Sequence, residues 1–90
     1  MKLKYEFVCT KVGDEIIAVP VGESAGKLHL VLKLNEESQY ILESLNQNTT
    51  EEEIVNKMAA EYDVDKVTLE TCVHDFIEEL KKADLIECDE

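Results

Sequence analysis

The pattern of apolar and polar positions divides the chain into a strand-like first part and a helical remainder. Residues 28–34 alternate between leucines and other side chains, in the order Leu28, His29, Leu30, Val31, Leu32, Lys33 and Leu34. This period of two predicts a strand with one buried face. Asn35 follows directly and predicts a helix N-cap, because its short side chain can accept a hydrogen bond from a first-turn amide.

Two earlier stretches, residues 5–12 and 15–21, predict strands upstream of this one. Gly13 and Asp14 lie between them and favour a tight turn, so the two strands are expected to form a hairpin. Pro20 has no N–H group to donate to a ladder. It is therefore expected at the end of its strand or on a sheet edge.

Helical periodicity predicts three helices, over about 36–46, 51–62 and 66–83. Thr50 and Glu53 have the spacing of a capping box at the start of the second helix, and Asp65 is expected to cap the third. The core-facing stripe predicted for the third helix is Leu69, Val73, Phe76, Ile77 and Leu80. Strands followed by helices predict a single α+β domain over residues 1–90, with a winged-helix-like arrangement.

The charge balance narrows the classes of partner. Asp and Glu number 21 against 9 lysines, arginine is absent, and the formal net charge is −12. Phosphate backbones and anionic membrane surfaces attract cations, so nucleic acid and membrane are both disfavoured as partners. The charge suits a basic or amphipathic peptide, although a high net charge also serves solubility alone.

Few side chains offer catalytic or metal chemistry. The three cysteines, Cys9, Cys72 and Cys88, are widely spaced and predict neither a disulfide framework nor a zinc site. Free thiols, together with the lack of an apolar N-terminal run, favour a cytoplasmic protein. His29 and His74 are the only side chains that titrate near neutral pH, and both are expected at exposed or rim positions. We therefore expect a non-enzyme that needs no metal and no cofactor.

A series of motifs in a fixed order resembles the PqqD family, named for pyrroloquinoline quinone biosynthesis protein D. The motifs are VPVG at 19–22, LNE at 34–36, NTTEEEI at 48–54, EYDVD at 61–65, V-x-x-F-x-x-x-L at 73–80 and ADLI at 83–86. The same fold is called the RiPP recognition element, after ribosomally synthesised and post-translationally modified peptides. One departure is Asp84, where the family often has glycine; aspartate tolerates the left-handed conformation that such a turn requires.

The resemblance implies three antiparallel strands, three helices and a role as a peptide adaptor. In the family, the leader of a precursor peptide adds to the edge of the third strand, packs against the third helix and is presented to a modifying enzyme, often a radical-SAM protein. On this chain, the implied peptide-binding residues are Leu28, His29, Leu30, Val31, Leu32, Lys33, Lys66, Leu69, Glu70, Cys72, Val73 and Phe76. Lys27, Lys33 and Lys66 could pair with acidic leader residues, or they are only surface lysines. The alternative, favoured for Leu32 and Phe76, is that these apolar residues only form the core.

Two other functions remain open at this stage. An acidic winged-helix domain could associate with DNA, but the third helix lacks arginine and is net negative, a poor match to a recognition helix. A protein-interaction domain without leader binding could use the same open strand to pair weakly with a second copy. The oligomeric expectation is therefore a monomer or a weak homodimer.

Overall fold

A three-stranded antiparallel sheet precedes three helices in the computed structural model, which describes residues 1–28 and 30–87. In chain order, the elements are β1 (Lys2–Leu3), β2 (Phe7–Val12), β3 (Glu15–Pro20), a short 3-10 helix (Gly22–Gly26), β4 (Leu32–Leu34), α1 (Glu36–Ser44), α2 (Glu51–Glu61), α3 (Lys66–Lys82) and β5 (Ile86–Glu87). The main sheet has the order β2-β3-β4, and β1 pairs separately with β5. The predicted α+β class is confirmed.

The predicted hairpin is present and its turn has a clear cause. β2 and β3 pair from Phe7 opposite Pro20 to Val12 opposite Glu15, which leaves a two-residue turn. Gly13 in that turn has a φ of +62°, a left-handed conformation that glycine adopts without steric cost. A two-residue loop with glycine first is a favoured hairpin connection, so the turn fixes the register of the two strands.

The third strand of the sheet is shorter than the pattern predicts. A strand was expected over 28–34, whereas β4 comprises only Leu32–Leu34. Residues 28, 30 and 31 have no regular secondary structure. The part of the prediction that concerns His29 lies outside the described residues, as do those that concern residues 88–90.

Pro20 provides the physical reason why the ladder between β3 and β4 is short. The Val21 amide donates to the Glu6 carbonyl at 3.0 Å, so the backbone groups of Val21 face β2. Successive residues of a strand face opposite neighbours, and the nitrogen of Pro20 therefore faces β4. Beyond the pair formed by Ala18 and Leu32, the next bond would need an N–H that proline lacks. Pro20 thus ends its strand, as expected.

Side-chain caps define the starts of the first two helices. Asn35 Oδ1 accepts from the Ser38 amide at 2.8 Å, and Thr50 Oγ1 accepts from the Glu53 amide at 3.2 Å. Both caps were predicted. The second half of the predicted capping box is different, because the Glu53 carboxylate accepts from the Thr49 hydroxyl at 3.5 Å. Satisfying first-turn amides in this way stabilises a helix that would otherwise fray.

The core lies between the inner face of the sheet and the three helices. Its buried apolar residues are Leu3, Ala18, Ile41, Leu42, Leu45, Ile54, Val55, Met58, Leu69, Val73, Ile77, Leu80, Leu85 and Ile86. The predicted α3 stripe is therefore confirmed except at Phe76, which is half-buried. Asp65 is the N-cap residue of α3 but makes no side-chain capping bond, contrary to expectation.

The β1–β5 pair was not predicted. Leu3 lies opposite Ile86, and the Lys4 amide donates to the Leu85 carbonyl at 2.9 Å. The return of residues 85–86 to the core was expected. Asp84 makes this reversal with a φ of +59° and pairs with Lys4 at 2.6 Å, so aspartate does serve where the family often has glycine. No described helix is long and apolar enough to cross a membrane.

Candidate peptide-binding site

β4 is an edge strand, and among residues 1–28 and 30–87 no strand pairs with its outer side. Leu32 and Leu34 lie opposite Ala18 and Ile16, and the alternation set by Val21 directs the backbone groups of these leucines toward β3. The N–H and C=O of Lys33 consequently face away from the sheet. An open edge of this kind is a template for the addition of another strand.

The side chains along this edge divide into two faces. Leu28, Leu30, Leu32 and Leu34 are half-buried and pack against the core from the inner face. Val31 and Lys33 are exposed, with Val31 at 57%. Half-buried leucines retain apolar surface that a bound peptide could cover, whereas fully buried ones cannot.

The predicted residues of α3 fall into three groups. Leu69 and Val73 are 2% and 0% exposed, so they support the core and offer almost no surface to a ligand. Cys72 and Phe76 are half-buried on one flank of the helix. Lys66 and Glu70 are exposed on the other flank. Sequence periodicity could identify the helix but not which flank would lie beside the sheet.

Lys66 and Glu70 belong to a depression between α2 and α3. It measures about 560 Å³ and is lined by Glu51, Glu52, Val55, Lys66, Glu70 and His74. The structure therefore separates the two charged positions from Cys72 and Phe76. Burial, and then the carboxylate of Glu37 at the start of α1, raise the pKa of the Cys72 thiol, so the Cys72 side chain lies toward α1.

The side chains that could act as nucleophiles or metal ligands lie in ordinary environments. Burial raises the pKa of the Cys72 thiol, and the carboxylates of Glu37 and Asp75 raise it further. A raised pKa favours the neutral thiol at neutral pH, the opposite of what a nucleophilic cysteine needs. Among residues 1–28 and 30–87, no cluster of His, Cys, Asp and Glu has the arrangement of a metal site.

His74 connects the second and third helices. Its Nδ1 lies 3.0 Å from Glu51 Oε1, and its Nε2 lies 3.6 Å from Glu78 Oε1. The side chain is 56% exposed, as its rim position predicted. The pairing with Glu51, which lies 23 residues earlier, had no signal in the local sequence pattern.

Comparison with known proteins places this geometry in a family. The family described as "Coenzyme PQQ synthesis protein D (PqqD)" matches residues 26–86. The chain belongs to the PqqD family. The match begins just before the β4 edge and ends within β5, so it includes every residue of the predicted PqqD-type peptide-binding site.

One solved structure extends the comparison to the whole chain. It is the structure titled "TbiB1 in Complex with the TbiA(beta) Leader Peptide", with 27% sequence identity and a TM-score of 0.70. The similarity covers 100% of this PqqD-family chain and 99% of the TbiB1 chain. No curated protein shows significant sequence similarity to the chain. The predicted family and the predicted order of strands and helices are confirmed.

Proposed function

We propose that this protein is a non-catalytic adaptor that binds the leader of a ribosomally made precursor peptide. The observation that carries the proposal is the open β4 edge, where the backbone groups of Lys33 face away from the sheet beside a row of half-buried leucines. A leader in extended conformation would add there as a fourth strand. Backbone hydrogen bonds would supply affinity with little dependence on the leader's sequence.

Side chains beside the edge would supply the selectivity. Leu30 and Leu32 from the edge, with Cys72 and Phe76 from α3, are the half-buried groups that a leader's apolar side chains could cover. Lys33 is exposed and could attract an acidic leader residue. Lys66 would contribute only through longer-range attraction, because it lies on the α2 flank of α3.

The comparison with TbiB1 supports this assignment. TbiB1 is titled as a complex with a leader peptide, and the two chains correspond over nearly their full lengths. A leader-binding adaptor would act by holding its peptide near a second, modifying protein. We propose a radical-SAM enzyme as that partner, and a monomer or a weak homodimer as the working state. Strand addition in a reducing cytoplasm would leave all three cysteines as thiols.

The test is an amide NMR titration with the leader of the precursor peptide encoded beside this gene, and with the TbiA(beta) leader as a second probe. Saturable shifts are expected in residues 28–34 and along the Cys72–Phe76 flank of α3. A leader variant in which any acidic residues are replaced by lysine is the matched control for the Lys33 contribution. Flat spectra with both leaders at high excess, on a folded protein, would reject leader binding.

A further inference from the structure

Within the part of the chain that the structure describes, the opposite edge of the sheet has no paired strand either. β2 is the other outer strand in the order β2-β3-β4. Because Val21 and Glu6 are bonded to each other, the alternation directs Val8 and Thr10 toward β3. The backbone groups of Phe7, Cys9 and Lys11 therefore face away from the sheet. This edge is twice the length of β4, with six residues against three.

A groove follows the β2 edge and has α1 as its opposite wall. It consists of two adjoining depressions of about 440 and 220 Å³, both of which are lined by Cys9 and Glu43. The smaller one lies beside Phe7 and Leu42. The larger one is lined by Cys9, Thr10, Lys11, Ile16, Glu36, Gln39, Tyr40, Glu43 and Tyr62. We call the two together the β2 groove.

Negative charge surrounds the larger part of the β2 groove. Glu36 and Glu43 line it, and Lys11 is the lysine among its lining residues. Burial raises the pKa of Tyr62, and the carboxylates of Glu36, Glu37 and Glu61 raise it further. Burial also raises the pKa of Cys9, followed by the charge of Glu43. In both Tyr62 and Cys9, nearby carboxylates thus add to the effect of burial, as expected for a groove with negative charge around it.

Two tyrosines form the floor of this acidic region. The rings of Tyr40 and Tyr62 meet edge to face, with centroids 5.9 Å apart and planes at 79°. The faces of aromatic rings attract cations, and neighbouring carboxylates strengthen that attraction. A lysine or arginine side chain placed here would meet both kinds of group. An anionic side chain would be repelled by the same carboxylates.

We propose that the β2 groove binds an extended, basic segment of a partner protein by strand addition. Phe7, Cys9 and Lys11 would bond to the segment's backbone. Lysine or arginine side chains of the segment would reach Glu36, Glu43 and the two tyrosines, and an apolar side chain would enter the depression beside Leu42. A second copy of this chain is a poor occupant, because a net charge of −12 on each copy opposes their approach.

The probe is a short synthetic peptide that alternates lysine with valine, and its counterpart that alternates glutamate with valine is the control. Amide NMR titration is expected to give saturable shifts in Phe7–Val12 and along α1 with the lysine peptide only. Alkylation of the native cysteines provides a second readout. Bound peptide should slow modification of Cys9 while that of Cys72 is unchanged.

Two proline variants distinguish the two edges. Cys9→Pro removes an N–H that faces the β2 groove, and Lys33→Pro removes one that faces the β4 edge; neither bond belongs to the internal ladder. Cys9→Pro is expected to lower the affinity for the lysine peptide by roughly tenfold, because a hydrogen bond is lost and the proline ring obstructs the peptide. Lys33→Pro is expected to leave that affinity unchanged. Glu43→Lys, which leaves the backbone intact, should also lower the affinity for the lysine peptide.

Three results would overturn the proposal. One is loss of binding in Lys33→Pro but not in Cys9→Pro, which would move the peptide to the β4 edge. Another is equal binding of the glutamate peptide. The third is unchanged affinity in Glu43→Lys, a result that decides the question even if Cys9→Pro does not fold. Leader binding at β4 has its own test, the titration with the two leaders.

Discussion

The two edges of the sheet offer the same backbone groups to a partner but surround them with different side chains. The β4 edge presents half-buried leucines, and Lys33 is its charged side chain. The β2 edge lies across from α1, where carboxylates and two tyrosines line the groove. In the two proposed sites, the open strand would define where a peptide adds, whereas the side chains around it would determine which peptide is accepted.

The largest expected effect comes from damage to the core that both edges share. Ile77 is fully buried in α3, and Ile77→Ala should lower the free energy of unfolding by about 2–5 kcal/mol. Both binding activities should weaken together as the fraction of folded protein decreases. Denaturant unfolding measures the stability. Selective loss of one activity, at full folding, would mean that Ile77 supports one edge alone.

Proline at position 31 separates the edges most sharply. Val31 precedes β4 and is 57% exposed, so Val31→Pro should disturb strand addition at β4 without disturbing the core. Leader affinity is expected to decrease by roughly tenfold while the helix content is unchanged. Calorimetric titration measures the leader affinity, and circular dichroism measures the helix content.

Cys9→Pro is the matched control for this experiment, because it places the same substitution on the other edge. It should leave leader affinity unchanged. Unchanged leader affinity in Val31→Pro would show that β4 is not the peptide-binding edge.

The length and spacing of the apolar pattern account for what could be predicted. The three helices and the hairpin extend over enough residues for their periods to be clear, and both asparagine and threonine caps follow from local chemistry. The late start of β4, at Leu32, could be predicted only with one further fact, namely that the nitrogen of Pro20 faces β4 and not β2. The β1–β5 pair has two residues in each strand, too few to show a period.

The site was harder to predict than the fold because it depends on how elements are placed relative to one another. Leu69 and Cys72 are both apolar residues of α3, yet one is buried and the other is half-buried beside the start of α1. Their difference follows from which face of α3 packs against the rest of the core. The β2 groove likewise combines residues from β2, α1 and the end of α2, which no local sequence pattern connects.

Salt should sharpen the contrast between the edges. If the β2 groove selects its partner by charge, raising the salt concentration from about 0.05 to about 0.5 M should reduce affinity for the lysine peptide severalfold, because exposed charges are screened. Leader binding should change less if it relies on backbone bonds and apolar contacts, as proposed. Fluorescence anisotropy with labelled peptides measures both. Equal salt dependence would remove the electrostatic distinction.

Loss of a helix cap should affect stability without affecting either edge. Thr50 Oγ1 caps α2, and Thr50→Ala should cost about 1 kcal/mol of unfolding free energy. Thr71→Ala is the matched control, since the Thr71 hydroxyl bonds only back to the Val67 carbonyl within α3. Thermal unfolding compares the two. A larger loss in Thr71→Ala would contradict the role given to the cap.

The smallest expected effect concerns the exposed lysine of β4. Lys33 lies 3.9 Å from Glu15 and its side chain is 78% exposed, so water screens its interactions. Lys33→Gln should lower the affinity for an acidic leader by no more than about threefold and leave the affinity for the lysine peptide unchanged. Competition binding resolves differences of this size. A loss as large as that in Val31→Pro would make charge, not strand addition, the main source of leader affinity.

Two open strand edges on one small domain would ordinarily invite self-assembly into extended sheets. Repulsion between copies of charge −12 opposes this at neutral pH. That protection ends near the isoelectric point, which the sequence puts at about 4.4. Mild acidification should therefore turn the same two edges from peptide receptors into sites of precipitation, and solutions of this protein are best purified and concentrated well above that pH.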